Sequence, residues 1–458
     1  MPARSPASGQ PIGTLPRSSR EDAQRAVAAA RDAQAGWAEV SVWERADACL
    51  RIAAELEARR ERVADMLVLE QGKPRAEAEG EVGAAVAGFR LAAEEVRQLG
   101  GETIPTEDGG KLALTIRQPR GVFAVVTPWN FPINIPVEYL GPAIASGCAV
   151  VWTPAPTTAF CAIELAEAIE AAGLPAGVVN LVIGEGPVVG DEIVSHPGTD
   201  GIGFTGSTAT GQRIAERGAG KQMLLELGGN GPVIVFDDAD LDRAAEAAAA
   251  AAFLNAGQVC SATERVLVHR DVVDAFADKV ARIAKAKVLG DPAARETQMG
   301  PLNNAQVAQK TREHVEDALN HGATLLAGGR SRDDLGSELF YEPTVLTGVT
   351  ADMRINREET FGPVVPILAF DSDDEALALA LDNDYGLTSS VFTRDLGRAL
   401  RFGKSLRSGI VNVNEAPSYW ELHLPFGGGA GRKSGTGRIG GRHTLEAMTV
   451  IKTIVLQA

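Results

Sequence analysis

Over the first hundred residues the apolar positions recur with a helical period. In residues 42–74, Cys49, Ile52, Ala53, Leu56, Val63 and Leu67 fall on one stripe, and Gly72 and Pro74 end it. Upstream, Ser18 and Ser19 each precede an acidic residue, Glu21 and Asp22, by three positions, which predicts a helix N-cap. Near residue 100 the period drops to two: "KLALTIRQ" (111–118) alternates as a half-solvated strand does. Beyond it, short apolar runs alternate with helical segments. "GVFAVVT" precedes a helix after Pro132. "CAVVW" precedes a helix over 158–172, "GVVNLVI" one near 187–195, and then comes "DGIGFTG". That alternation predicts a parallel sheet covered on both faces. A second series, from "GPVIVFDDADLD" through "RVLVH", "ATLLAGG", "PTVLTGV", "VVPILAF", "SSVFT" and "GIVNVN", predicts a second α/β domain. The terminal "TVIKTIVLQ" has the character of "KLALTIRQ"; neither fits the alternation, and both are assigned to one extra sheet or arm.

Composition narrows the function classes. With 458 residues, the chain is long enough for two or three domains. Sixty acidic against 44 basic residues give a net charge of -16, which argues against sequence-independent nucleic-acid binding. No run approaches the ~18 apolar residues of a membrane span, and the N-terminus lacks a signal-peptide core, so no membrane partner and a cytoplasmic location are expected. Four cysteines (Cys49, Cys148, Cys161, Cys260) make no disulfide framework, and six scattered histidines predict no metal site. Cys49 lies on the helical stripe, Cys148 in a strand run and Cys161 in a helical segment, so all three are read as packing.

Several stretches are chemically suggestive, each with a plain structural counterpart. "GFTGSTATG" (203–211) leads from a strand into a helix at Gly206 and Ser207, which suits either a pyrophosphate on helix N–H groups or a capped turn. "GTGRIG" (435–440) matches a dinucleotide fingerprint but lacks the preceding strand, and is read as a decoy. In "TPWNFP" two prolines fix the backbone around Asn130, either an oxyanion donor or an ordinary turn residue. "LLELGGN" ends an apolar strand on Glu226, which must find an ionic partner, a raised pKa or work as a base. Cys260 in "NAGQVC" is either a structural thiol or a nucleophile; a reactive thiolate needs exposure and positive potential.

Taken together, "TPWNFP", "GFTGSTATG", "LELGGNGPVIVFDDADLD", "FLNAGQVCSATER", "EETFGPVVPI", "LPFGG…SGTGR" and "HTLEAMTVIKTI" resemble the aldehyde dehydrogenase superfamily, in family order and end to end. The resemblance implies an α/β fold with a Rossmann-like cofactor domain (1–100 and 120–228), a catalytic domain (229–445) and an oligomerisation arm (101–119 and 446–458). It implies NAD- or NADP-dependent oxidation of a small-molecule aldehyde. Cys260 matches the nucleophile, Asn130 the oxyanion donor and Glu226 the base that hydrolyses a thioester. Glu359 and Phe361 match the ribose and neighbouring cofactor contacts, Ser207 with Gly206 the pyrophosphate loop, and Trp129 a cofactor neighbour. A homodimer or homotetramer is expected. The alternatives are a CoA-acylating semialdehyde dehydrogenase, against which Glu226 argues, and a non-catalytic structural member, against which the intact Asn130, Glu226 and Cys260 argue.

The chain departs from the family in two places. After "CAVV" the usual Lys-Pro-Ser-Glu is "TPAP", so Thr153 replaces the lysine and Pro156 the glutamate. Thr153 is left as a ribose contact, and NAD is expected slightly ahead of NADP. Between "PFGG" and "SG" stand five residues, "GAGRK" (429–433), in place of three, and Arg432 with Lys433 forms either an anion site or solvated loop charge. Family tunnel positions carry Phe131, Ile135, Glu138, Val259, Ser261, Tyr419, Trp420 and Phe426. That set suits a neutral, medium-sized or aromatic aldehyde, and Glu138 argues against a carboxylated one. An inward-facing Arg432–Lys433 pair would instead favour a phosphorylated or phosphonate aldehyde.

Overall fold

The computed structural model describes residues 1–429 and 431–457. Ala430, within the 429–433 stretch, and Ala458, at the end of the expected arm, lie outside the described residues.

The first α/β series forms a six-stranded sheet in the order Gly435–Thr436, Gln222–Glu226, Gly201–Thr205, Val122–Thr127, Ala149–Pro154, Val179–Leu181. All are mutually parallel except Gly435–Thr436, which runs antiparallel to Gln222–Glu226. Side chains alternate between faces, and both faces are covered, which is why these strands read as unbroken apolar runs. Phe123, Val125, Val150 and Trp152 enter a core shared with the helices Val42–Ala58, Arg75–Val96 and Asn134–Ser146. Val122, Ala124, Ala149 and Val151 enter another with Ala23, Val27 and Ala30 of the helix Arg20–Glu39. Ser19 caps that helix in a reciprocal box with Asp22.

The chain lays down Val122–Thr127, then Ala149–Pro154 and Val179–Leu181 to one side, and returns to place Gly201–Thr205 on the other. Strand order therefore reverses beside Val122–Thr127. Open parallel sheets form a ligand crevice at the carboxyl ends of the strands flanking such a reversal.

The second series forms a seven-stranded sheet in the order Thr324–Ala327, Thr344–Thr347, Val364–Phe370, Arg265–His269, Pro232–Val235, Thr388–Phe392, Ile410–Val413, parallel except for Thr324–Ala327. Lys111–Pro119 pairs antiparallel with Thr449–Gln457 along its whole length, and Thr103–Ile104 adds a third strand.

Three features differ from the sequence reading. A short hairpin, Pro2–Arg4 with Pro11–Thr14, opens a region read as helical; strands this short carry too few positions to show alternation. The stripe over 42–74 is continuous in burial but not in axis: Arg59 separates two helices, and Leu67–Gln71 widens into a π turn. That turn directs Glu70 inward, where it accepts the N–H groups of Phe160 (3.0 Å) and Cys161 (2.8 Å). Finally, residues 426–448 do not stay with the second sheet. Phe426, Ile439 and Leu445 bury themselves in the core of the first, and a side chain at Gly435 (φ 112°) would collide with the Leu225 carbonyl.

Three buried acids give the fold a pH dependence. Burial pushes Glu70 up to about 7 and Glu226 and Glu264 up to about 8, from an ordinary 4.5. The folded chain thus holds protons that the unfolded chain releases, so the stability these acids contribute is fully present below 4.5 and declines as pH rises through 7 and 8. Thermal unfolding of the cofactor-free protein should show a lower midpoint at pH 8.5 than at pH 6. An equal or higher midpoint at pH 8.5 would contradict the protonated assignment.

Candidate active site

A cavity of about 480 Å³ opens at the strand-order reversal. All nine residues expected for catalysis and cofactor binding line it: Trp129, Asn130, Thr153, Gly206, Ser207, Glu226, Cys260, Glu359 and Phe361. They arrive from both sheets, at the ends of the strands Val122–Thr127, Ala149–Pro154, Gly201–Thr205 and Gln222–Glu226 and from the loops before Arg265–His269 and Val364–Phe370.

Cys260 reaches the wall through an unusual turn. The helix Leu241–Phe253 is followed by three left-handed residues in succession, Asn255 (φ 48°), Ala256 (φ 55°) and Gly257 (φ 77°). Each non-glycine in that region costs about 1–3 kcal/mol and persists only where its surroundings fix it. Here they do. The Asn255 N–H donates to Glu77 (2.9 Å) and its Oδ1 accepts from Gln71 (2.9 Å). Gln258, fully buried, donates to the Asn255 carbonyl (2.7 Å) and accepts from the Asn303 N–H (2.8 Å). Gly257 is obligatory, since a Cβ there would sit 2.2 Å from the Gly362 carbonyl oxygen.

The Asn130 side chain donates one amide hydrogen to the Gln258 carbonyl at 3.0 Å, two residues before the cysteine. A carboxamide has two donors, so one is left to spare. Among the described residues the Cys260 N–H has no hydrogen-bond acceptor. Both residues line the same cavity, and a pair of free donors is what stabilising an oxyanion requires.

Glu226 stands against Cys260. Burial raises its carboxyl to about 8, a hydrogen bond with the Cys260 thiol opposes that rise, and the Glu359 charge adds to it. Its Oε1 is buried without a hydrogen-bond partner. The thiol is pushed well above its usual range by burial first and then by the Glu226 charge and hydrogen bond, with Glu359 and Glu138 adding. The positive surroundings expected of a reactive thiolate are therefore missing. Cys260 rests as a protonated thiol, and the group next to it that can take the proton is Glu226.

The cofactor side is held by a chain of carboxylates. Glu359 accepts the Gly229 N–H at 2.8 Å, and a Cβ on Gly228 would lie 2.7 Å from its oxygen, which explains the two glycines after Glu226. Glu264, buried, accepts the N–H groups of Thr360 (2.7 Å) and Phe361 (2.8 Å). It thereby fixes Phe361 in a left-handed conformation (φ 59°), edge-on to Trp129 with ring centroids 5.6 Å apart. The Thr153 hydroxyl is buried on the wall without a partner, as a ribose contact would be before binding. Ser207 caps the helix Thr208–Arg217 through the Thr210 N–H (3.4 Å), and also lines the cavity, so the capped-turn and ligand readings coexist. "GTGRIG" contributes nothing to the wall.

Sequence reasoning missed Glu264 and Lys310. Glu264 had a signal, a carboxylate and an arginine opening an apolar strand. Lys310, on the helix Ala305–Asn320, lines the cavity where its charge favours ionised Glu359, and nothing local marks it.

The residues expected around the substrate stand apart from this cavity. None of Phe131, Ile135, Glu138, Val259, Ser261, Trp420 and Phe426 lies on its wall. Phe131 stacks under the Lys73 ammonium, 4.1 Å from the ring centroid, and Trp420 packs against Phe426 at 5.0 Å. Ile135, Val259 and Ser261 are buried. Glu138 accepts from Asn134 at 2.8 Å and borders a second, small cavity of about 20 Å³ with Leu91, Pro142 and Leu422. Tyr419 is exposed and bonds Glu421. Of the two readings left open for Arg432 and Lys433, the structure matches loop charges rather than an inward-facing anion site. Arg432 donates to the carbonyls of Leu381 (3.1 Å) and Asn383, and Lys433 pairs with Asp384 at 2.5 Å. Both charges secure the loop after the helix Asp373–Leu381.

The aldehyde dehydrogenase family model matches residues 1–454. The chain is 41% identical to a 3-sulfolactaldehyde dehydrogenase of Pseudomonas putida, over 98% of this chain and 92% of that protein. It is 39% identical to a succinate-semialdehyde dehydrogenase [NADP(+)] of Escherichia coli, with the same coverage of each. Among solved structures, a succinate-semialdehyde dehydrogenase from Burkholderia pseudomallei superposes with a TM-score of 0.97 at 40% identity, covering 100% of this chain and 94% of that one. A betaine aldehyde dehydrogenase from Staphylococcus aureus in complex with NAD+ gives 0.96 at 34% identity, covering 100% and 92%. This chain belongs to the aldehyde dehydrogenase family.

The acidic setting of the thiol has a measurable consequence. Alkylation of Cys260 by iodoacetamide in cofactor-free protein should have its midpoint above the ordinary thiol value of 9.0. Because the Glu226 charge disfavours the thiolate, Glu226→Gln should move that midpoint to lower pH. A profile unaltered by the substitution would show that the two groups do not interact.

Proposed function

We propose that the protein oxidises an aldehyde to its carboxylic acid with NAD or NADP as acceptor, through a covalent adduct on Cys260. The observation that carries this reading is that Cys260, Glu226 with its raised carboxyl, and the Asn130 carboxamide line one cavity. An ionised Glu226 takes the thiol proton as sulfur bonds to the aldehyde carbon. The new alkoxide is met by Asn130 Nδ2 and the Cys260 N–H. The nicotinamide, when bound, supplies the hydride acceptor that converts this thiohemiacetal to a thioester. Once Glu226 has released its proton, it takes another from water, whose oxygen attacks the thioester carbon; the acid leaves and the thiol is restored.

The cavity fits such a cofactor. Thr153 offers an unpartnered hydroxyl, Ser207 and Gly206 stand at a helix start, and Glu359 is fixed for a ribose between Trp129 and Phe361. Among the described wall residues Lys310 is the one cation, and its charge acts on Glu359. That distribution supports NAD ahead of NADP.

The substrate is an aldehyde without an anionic head group. The acids around Cys260, Glu226, Glu359 and Glu138, offer an anionic head group no counter-charge, while Arg432, Lys433 and Lys73 are all engaged elsewhere. The two relatives, by contrast, are named for sulfonated or carboxylated aldehydes. Cys260→Ser should abolish aldehyde-dependent reduction of NAD while leaving cofactor binding, and Glu226→Gln should lower kcat by slowing both adduct formation and thioester hydrolysis. Turnover in Cys260→Ser would sink the mechanism. Across four-carbon aldehydes with neutral, ammonium and carboxylate ends, kcat/KM should be lowest for the carboxylate; a preference for it would remove the substrate assignment.

The arm supports a homodimer or homotetramer. Its strand Thr449–Gln457 is a sheet edge, and Ile451, Val455, Leu456, Leu112 and Ile104 are exposed on the three strands. Unpaired edges with apolar side chains invite pairing with another copy. Light scattering should give a multiple of the 48.0 kDa chain mass, and Ile451→Glu with Val455→Glu should reduce it to one chain. A monomeric native protein would refute the assignment.

A further inference from the structure

Between the π turn and the helix Arg75–Val96 lies a polar cluster that the steps above leave unused. The side chains of Lys73 and Glu81 are ion-paired with no exposed surface at all. The Lys73 ammonium also donates to the main-chain carbonyl of Asn130 at 3.0 Å and sits over the ring of Phe131. Glu81 Oε1 accepts the N–H groups of Ile133 (2.8 Å) and Asn134 (3.1 Å). The pair thus grips Asn130 itself and the two residues that follow the "TPWNFP" turn. A second grip closes the circuit. Asn255 Nδ2 donates to the same Asn130 carbonyl at 2.9 Å, and the Asn255 N–H is held by Glu77, one helical turn before Glu81.

A buried ion pair is a poor source of stability, because desolvation offsets most of the Coulomb attraction and an apolar pair of equal volume does as well. What it provides that an apolar pair lacks is direction: hydrogen bonds that fix one carbonyl and two N–H groups. An oxyanion donor needs that direction, since a misplacement of about 1 Å can cost about 100-fold in rate. We propose that Lys73 and Glu81 are positioning residues that register the Asn130 carboxamide against Cys260. The frame spans a helix start, the turn after Val122–Thr127 and the left-handed turn before Cys260. This inference rests on Asn130 being the oxyanion donor.

The test is a double-mutant cycle on the full chain. Lys73→Met should lower kcat about 10-fold or more while the dissociation constant of NAD changes less than about two-fold. Asn130→Ala should lower kcat by about 100-fold or more. In that background Lys73→Met should cost less than about a further two-fold, because a residue acting through Asn130 has nothing left to position. Equal losses in both backgrounds, or a Lys73→Met variant with unaltered kcat, would overturn the positioning role while leaving the oxyanion reading intact. Full turnover in Asn130→Ala would overturn both. Should Lys73→Met not fold, Glu81→Gln keeps the volume and the acceptor for Ile133 and Asn134 but leaves Lys73 without a counter-charge. The cycle with Glu81→Gln should then show the same loss in the native background and the same absence of loss beside Asn130→Ala; equal losses in the two would overturn the positioning role.

Discussion

A carboxylate taken out of water has to be met by donors, and in this chain the donors are the backbone N–H groups of the segments that carry chemistry. Glu81 holds Ile133 and Asn134 after the Asn130 turn, Glu77 holds Asn255 before Cys260, Glu264 holds Thr360 and Phe361, and Glu359 holds Gly229. Each acid comes from a different element than the loop it fixes. Loops this close to a cavity cannot satisfy their backbone through regular ladders, and a buried polar group left unpaired is costly. The carboxylates solve that problem and set loop geometry at once. Without them the left-handed runs at 255–257 and at Phe361 would relax, and the Cys260 thiol, the Asn130 carboxamide and the Glu359 carboxyl would lose their common frame.

The same burial shapes the chemistry. Burial raises the proton affinity of both Glu226 and Cys260, and Glu226 raises that of the thiol further while the thiol's hydrogen bond opposes the rise at Glu226, so the site rests neutral. A neutral site admits an uncharged carbonyl without a desolvation penalty on either side, and leaves the proton transfer to the moment of attack. The acids around the sulfur, Glu138, Glu226 and Glu359, also offer an anion no counter-charge. Arg432 and Lys433, the basic pair that could have reversed this, cap carbonyls and pair with Asp384.

Much of the architecture was legible from periodicity because the inner strands of the two sheets are buried on both faces and most helices on one. Cys49, with no exposed surface, follows directly from its stripe. Less visible were elements whose partners lie far along the chain. Gly435–Thr436 is a strand only because Leu225 and Glu226 are there to receive it, and the π turn at Leu67–Gln71 exists because Phe160 and Cys161 offer donors to Glu70.

For the site, the chain itself determines which groups are present: a cysteine after small residues, an acid ending an apolar strand, an asparagine between prolines. Spacing and order carry that information, because strand ends and tight turns are local. Which of them meet was decided by the tertiary structure. Asn130 and Cys260 are 130 residues apart and become neighbours only through the reversal of strand order and the turn locked by Gln258. The protonation of Cys260 was likewise invisible along the chain, because it depends on how much protein surrounds the sulfur and on acids brought from three distant segments.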